Sequence, residues 1–141
     1  MSEALADPYH LFALYAAVNG LIMLVLGVLV TRARVTTKTL IGDGGKPEMS
    51  RAIRAHANNT EYTPMALLLM LACSAIGGSI WVVHGIGLPL TIGRLLHAAG
   101  LSRNEGTSAP RFVGMLLTWI AFIVGIVAVL WLVFVPSAVA S

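Results

Sequence analysis

The sequence predicts an all-α integral membrane protein whose four helices form a bundle. Hydrophobic residues make up 57% of the 141-residue chain and charged residues only 11%, whereas a soluble domain carries about 25% charged residues. Uncharged runs long enough to cross a bilayer recur along the chain. The basic residues collect around two loops that four crossings would place on the same side of the membrane. We expect one domain over residues 1–141, because neither loop is long enough to fold by itself.

The first helix is expected at about residues 9–34. It contains an uncharged run from Leu11 to Thr31, and about 20 apolar residues are enough for a helix to cross the hydrocarbon core. The following segment, from Val35 to Glu48, contains several glycines and a proline. This composition is typical of an exposed turn.

The second helix is expected at about residues 49–76. Its second half is apolar, and no Lys, Arg, Asp or Glu occurs between Tyr62 and Gly93. This uncharged stretch is too long for one crossing, and Gly77 and Gly78 interrupt it. We therefore expect a turn at this glycine pair, with a separate helix after it.

The third helix is expected at about 80–101 and the fourth at about 110–136. Glycines and a proline near the start of the third helix leave its first residue open between Ser79 and Leu88. The fourth helix contains another long uncharged run, and a short polar loop at 102–109 precedes it. The chain thus predicts four helices joined by three short connections.

The placement of basic residues predicts the orientation in the membrane. All Lys and Arg residues surround the first loop, occur late in the third helix or flank the last loop: Arg32, Arg34, Lys38, Lys46, Arg51, Arg54, Arg94, Arg103 and Arg111. Cytoplasmic loops are enriched in these residues, so we expect the basic loops in the cytoplasm and both termini outside. The net charge of +3 then reflects topology, and no nucleic-acid partner is expected.

A polar stripe runs along the second helix into the membrane. Arg51, Arg54, Asn58 and Glu61 are spaced by 3, 4 and 3 residues, which places them within an arc of about 80° on one helix face. Tyr62 lies at the edge of that arc. Ionisable side chains inside a membrane usually face a bundle interior or a cavity and mark function.

A purely structural interpretation of the stripe is also open. Arg51 and Arg54 could reach lipid headgroups, and Glu61 could pair with Arg54 or Arg94 for stability alone. The sequence does not decide between this interfacial cap and a binding site.

The third and fourth helices add further polar candidates. Arg94 and His97 share one face at a spacing of three residues, although a membrane histidine also occurs as a hydrogen-bonded packing residue. Pro110 suits a first helical turn and places Arg111 at the interface, where it is either a site residue or a marker of topology. The His and Cys residues show no ligand-like spacing, so no metal is expected.

These motifs closely resemble those of the MAPEG family, the membrane-associated proteins in eicosanoid and glutathione metabolism. The matching motifs are Arg51-x-x-Arg54-Ala-His56-x-Asn58-x-x-Glu61-Tyr62-x-Pro64, Gly93-Arg94-x-x-His97-Ala and Pro110-Arg111-Phe-x-Gly114-Met-x-x-Thr118. The last motif has the form found in bacterial members, which implies a bacterial inner membrane.

The resemblance implies a homotrimer that binds glutathione as co-substrate between neighbouring subunits, near the cytoplasmic face. By motif position the glutathione-binding residues would be Arg32, Arg51, Arg54, Asn58, Glu61, Tyr62, Arg94 and His97. Arg111 matches the arginine that stabilises the glutathione thiolate in the family. It is therefore the expected catalytic residue.

The expected activity is that of a glutathione transferase or peroxidase acting on lipophilic electrophiles or hydroperoxides among membrane lipids. Leu101 stands where several family members have a glutathione-contacting tyrosine, and Phe112 stands where the prostaglandin-producing members have serine. Specialised eicosanoid synthesis is therefore disfavoured. Two alternatives remain open: a non-catalytic lipid- or glutathione-binding protein of the same fold, and a small transporter that uses Glu61.

Overall fold

The computed structural model describes residues 6–103 and 106–135, and this part of the chain contains helices and no strand. The helices are α1 (Pro8–Thr37), α2 (Pro47–Ala75), α3 (Ile80–Arg103) and α4 (Ala109–Phe134). The prediction of an all-α fold with four helices is confirmed. Residue 136, the predicted end of the fourth helix, lies outside the described residues.

Local signals in the sequence set the ends of α1. The Asp7 carboxylate accepts a hydrogen bond from the Tyr9 backbone N–H at 2.8 Å, and Pro8 opens the helix. This bond and a second one from His10 hold the pKa of Asp7 below its usual value. At the other end, Lys38 adopts a left-handed conformation and its N–H bonds back to Arg34. The helix therefore continues beyond the predicted residue 34.

The loop between α1 and α2 is held by the last turn of α1. The Arg34 guanidinium donates hydrogen bonds to the carbonyl oxygens of Thr39, Leu40 and Gly42 at 3.0 to 3.3 Å. Lys46 donates to the Thr37 carbonyl oxygen just before α2 begins. These bonds fix the basic loop against the end of the bundle, where the candidate site lies.

The core contains two apolar clusters. The large apolar cluster comprises Leu11, Tyr15, Ala66, Met70, Cys73, Val83, Ile86, Leu90 and Ala121. The small apolar cluster comprises Ile22, Leu26, Ala55 and Leu101. α1 packs against α2 and α3, and α4 packs against α3 and α2. The large cluster thus fills the half of the bundle near the α2–α3 turn, and the small cluster lies toward the basic loop.

A buried polar layer separates the two clusters. Asn19 lies between them on α1 and donates to the Tyr15 carbonyl and the Thr91 hydroxyl, both at 2.9 Å. Asn59 and Thr63 occupy the corresponding level of α2 and bond to each other at 3.2 Å. Burial of these amides and hydroxyls is tolerated because most of their polar atoms have partners.

Three of the described helices are long and apolar enough to cross a membrane: Pro8–Thr37, Ile80–Ser102 and Ala109–Phe134. Large apolar side chains such as Leu24, Ile123 and Val127 are exposed on their outer faces, as expected for surfaces that contact lipid. The predicted helical membrane bundle is confirmed. The polar stripe keeps α2 out of this group, so its crossing stays a prediction.

Candidate functional site

Arg94 lies at the centre of the polar residues predicted from the sequence. It is only 1% exposed. Its guanidinium donates to the Thr118 hydroxyl at 2.6 and 3.0 Å and to the Asn58 side-chain oxygen at 2.9 Å. One side chain of α3 thereby connects α2 to α4. Within the described part of the chain, none of the hydrogen-bond partners of Arg94 is a carboxylate.

Tyr62 completes the surroundings of Arg94. The Arg94 guanidinium carbon lies 5.5 Å from the centre of the Tyr62 ring, a cation–π geometry. The same ring also meets the Phe122 ring of α4 in a T-shaped contact, with centroids 6.2 Å apart. Tyr62 therefore packs between α3 and α4, and its placement depends on both helices.

Glycines allow α3 and α4 to approach closely beside His97. A Cβ atom on Gly114 would lie 2.5 Å from the His97 backbone nitrogen, and one on Gly93 would lie 2.8 Å from the Gly114 carbonyl oxygen. A Cβ on Gly100 would lie 2.7 Å from the Arg111 nitrogen. Real Cβ atoms do not tolerate these distances. The glycines therefore fix the start of α4, and with it Arg111, against the His97 turn of α3.

The first of two neighbouring clefts, which we call the basic cleft, opens toward the loop between α1 and α2. Its volume is about 410 Å³. Its lining includes three predicted site residues, Arg51, Arg54 and Arg111, together with the loop and the end of α3: Asp43, Gly45, Lys46, Pro47, Ser50 and Leu101. Four cationic side chains and one carboxylate give the cleft a net positive charge, which favours an anionic ligand.

The second cleft, which we call the His97 cleft, has a volume of about 380 Å³. It lies among α2, α3 and the start of α4, and its lining residues are Asn58, His97, Thr107, Ser108, Arg111, Phe112 and Met115. Arg111 lines both clefts, so the two are neighbours at this residue. A ligand that extends from one cleft into the other would pass the Arg111 guanidinium.

The structure does not bring every predicted site residue into these clefts. Arg32, near the end of α1, and Glu61, on α2, are exposed and line neither cleft. Glu61 also does not pair with Arg94, which instead contacts Asn58 and Thr118. The predicted stripe on α2 thus divides into groups that face different surroundings.

Two residues of the site had no assigned role in the sequence. Thr118 receives two hydrogen bonds from Arg94, and Ser108 lines the His97 cleft. A lone hydroxyl in the uncharged run of α4 was the available signal for Thr118, and the position two residues before Pro110 was the signal for Ser108. Among residues 6–103 and 106–135, no group of His, Cys, Asp or Glu side chains is suited to hold a metal ion.

Comparison with known proteins identifies a family and two bacterial relatives. The model of the MAPEG family matches residues 12–131, which confirms the resemblance predicted from the motifs. The chain is 38% identical over 119 residues to "Inner membrane protein YecN" of Escherichia coli strain K12, covering 84% of this chain and 89% of that protein. The protein of the same name in Escherichia coli O6:H1 matches equally well. The relative's name states a membrane location and no activity.

Proposed function

Because the chain belongs to the MAPEG family, we propose that it is a membrane-bound glutathione transferase or peroxidase that acts on lipophilic electrophiles or hydroperoxides. The observation that carries the proposal is the position of Arg111, which lines both the basic cleft and the His97 cleft. One cleft would hold the charged part of glutathione, and the other would receive its thiol.

The basic cleft has the chemistry that glutathione requires. Glutathione carries two carboxylates, one ammonium group and one thiol, and arginine binds a carboxylate through two parallel hydrogen bonds. Arg51 and Arg54 supply two guanidinium groups in one cleft, with Lys46 at its edge. These cations would hold the carboxylates, which leaves the thiol end free to reach Arg111.

The exposed residues Arg32 and Glu61 fit a site that two subunits share. Both lie on outer surfaces of the subunit, where a neighbouring subunit of a homotrimer could bring them to its own basic cleft. Glu61 would then receive the glutathione ammonium group, and Arg32 would receive a carboxylate. We therefore propose that the complete glutathione site forms between subunits of a homotrimer in a bacterial inner membrane.

Arg111 would activate the thiol through its charge. A cation beside a thiol favours the thiolate, which is the nucleophilic form, and an opposite charge within a few ångströms lowers a pKa by about 1–3 units. The sulfur would then attack an electrophilic carbon, forming a C–S bond as the leaving group departs. With a hydroperoxide it would attack the outer oxygen. The O–O bond then breaks, the released alkoxide takes a proton, and a second glutathione converts the sulfenic acid to a disulfide with loss of water.

The exposed position of Glu61 bears on the transporter alternative. A carboxylate that carries a proton or cation across a membrane faces the bundle interior or a water-filled cavity. Glu61 lies on the outside of the subunit and lines neither cleft. The cationic lining of the basic cleft, to which a trimer could bring Glu61, suits an anionic ligand better than a transported proton or cation. A catalytic or binding role is therefore better supported than transport, and thiolate formation separates the catalytic role from simple binding.

The test is a titration of the detergent-purified protein with glutathione, followed by the ultraviolet absorbance of the thiolate. We expect a saturable thiolate signal in the wild type. In Arg111→Ala the thiolate-to-thiol ratio should fall about tenfold or more, because the cation beside the sulfur is lost. The matched variant Arg111→Lys keeps a positive charge and should retain part of the signal.

Three other outcomes have distinct meanings. Binding without a thiolate signal in the wild type would favour the non-catalytic alternative. An unchanged thiolate signal in Arg111→Ala would remove Arg111 from its proposed role. A folded protein that binds no glutathione at all would overturn the proposal.

A further inference from the structure

Ser108 carries a buried hydroxyl that the fold does not use. It stands at the N-cap position of α4, where a serine hydroxyl normally accepts a hydrogen bond from a backbone N–H of the first turn. In this protein the Ser108 side chain makes no capping bond. Its oxygen is shielded from solvent and has no partner among the described residues. A buried hydroxyl without a partner is unfavourable, and a ligand in the cleft would supply the partner once the side chain rotates about its Cα–Cβ bond.

His97 provides independent evidence for a ligand in the same place. Its side chain lines the His97 cleft together with Ser108 and is only 5% exposed. Within the described part of the chain, its ring makes no hydrogen bond, although buried imidazoles normally have partners. Two polar side chains thus line the same cleft without a hydrogen-bond partner among the described residues.

The packing of α3 against α4 fixes Ser108 next to Arg111. A Cβ atom on Gly100 would lie 2.9 Å from the Ser108 hydroxyl oxygen and 2.7 Å from the Arg111 nitrogen. Ser108 and Arg111 therefore both pack against Gly100 of α3. Among the described residues, the Arg111 guanidinium makes one long hydrogen bond, of 3.5 Å to the Gly106 carbonyl oxygen, so it is largely available to a ligand beside Ser108.

We propose that Ser108 is a catalytic residue that donates its hydroxyl hydrogen bond to the glutathione sulfur anion while Arg111 supplies the neighbouring positive charge. This inference rests on the function proposed above. A serine hydroxyl can act only as a donor toward a thiolate, which carries no proton. Phe112, the residue after Arg111, has no donor of its own, and Ser108 supplies one from three residues before Arg111.

The amount of glutathione thiolate formed in the His97 cleft should respond directly to the loss of the Ser108 hydroxyl. Arg111 and His97 are the charged or titratable side chains that line the His97 cleft, and its remaining lining residues are neutral. Both groups are unchanged in a Ser108 variant. A difference in thiolate formation between such a variant and the wild type therefore measures the hydroxyl itself.

The experiment compares glutathione binding and thiolate absorbance across a pH series in the wild type, Ser108→Ala, Ser108→Gly and Ser108→Thr. We expect the Ala and Gly variants to bind glutathione with little change in affinity. Their thiolate-to-thiol ratio should fall about tenfold, because a hydrogen bond to a charged sulfur is lost. Ser108→Thr keeps the hydroxyl and should behave like the wild type.

Thr31→Ala is the matched control, because Thr31 is an exposed hydroxyl residue of α1 that lines neither cleft, and its signal should not change. Gly is a good N-cap residue, so Ser108→Gly keeps the test valid if the Ala variant does not fold. A normal thiolate signal in the hydroxyl-free variants would overturn the role of Ser108 while leaving the proposed function intact. A wild type that forms no thiolate would remove both proposals.

Discussion

Arg94 shows how a charged side chain can be buried in this bundle with only neutral hydrogen-bond partners among the described residues. Its guanidinium is held by the Thr118 hydroxyl and the Asn58 side-chain oxygen, and the face of the Tyr62 ring lies beside it. Replacing one partner of a buried charge leaves that charge unsatisfied, which is more destabilising than losing a surface contact. The stability of this part of the bundle should therefore depend on a single threonine.

Thr118→Val is expected to lower the free energy of unfolding by about 1.5–3 kcal/mol, because Arg94 loses its two bonds to the hydroxyl. Thermal unfolding in detergent measures the effect. Thr31→Val is the matched control, since Thr31 also bonds the carbonyl oxygen of a glycine four residues earlier but is exposed. Equal melting temperatures for the two variants would contradict this account of Arg94.

The residues of the polar stripe were predictable from spacing, but their surroundings were not. Arg51 and Arg54 line one cleft, Asn58 lines the other, and Glu61 faces outward. An arc of about 80° is wide enough to cross the boundary between a buried and an exposed helix face. The side on which each residue falls depends on how α3 and α4 pack, and periodicity within α2 carries no information about that.

At the scale of elements, the interface between α3 and α4 positions the proposed chemistry. Gly93, Gly100 and Gly114 let the two backbones approach until a Cβ atom would no longer fit. Close approach through small residues is a common way for membrane helices to associate. Backbone contact with α3 therefore places the start of α4, and this in turn sets the positions of Arg111 and Ser108.

Gly100→Ala is expected to displace the first turn of α4, because the added Cβ would lie 2.7 Å from the Arg111 nitrogen. Thiolate formation should fall about ten- to a hundredfold, since a shift of about 1 Å at a catalytic group has effects of that size. Gly20→Ala is the control, because its added Cβ meets nothing within 4 Å. A normal thiolate signal in Gly100→Ala would show that this contact does not position Arg111.

The start of α3 shows why the helix ends were only partly predictable. The glycines and Pro89 near its start suggested an interruption, yet α3 begins at Ile80 and continues through them. A Cβ atom on Gly87 would overlap the ring of Tyr15. This glycine is therefore needed for packing against α1 and does not mark a helix boundary, a distinction that requires knowledge of the facing helix.

At the scale of the whole molecule, the number of membrane crossings depends on α2. Three described helices are long and apolar enough to span a bilayer, and the polar first half of α2 keeps it out of this group. Four crossings place the α1–α2 loop and the α2–α3 turn on opposite sides, whereas three crossings without α2 place them on the same side. The basic residues predict that the α1–α2 loop is cytoplasmic.

Single cysteines at Ile41 and Ser79 test this topology. Both residues are exposed and lie in the two connections. A membrane-impermeant maleimide applied to spheroplasts should label Ser79→Cys but label Ile41→Cys only after the membrane is permeabilised. The wild type is the control, because its single cysteine is buried. Labelling of both variants in intact spheroplasts would contradict a crossing by α2.

Cys73 lies far from the chemistry proposed at the other end of the bundle. It is fully buried in the large apolar cluster, where its sulfur contacts the Gly125 carbonyl oxygen at 3.9 Å. Gly125 follows Arg111 by 14 residues on α4, which is about 21 Å of helix. A protein that activates glutathione as proposed would thus keep its own thiol out of reach of the site. Its catalytic lifetime would not be limited by self-alkylation or by mixed disulfides with glutathione.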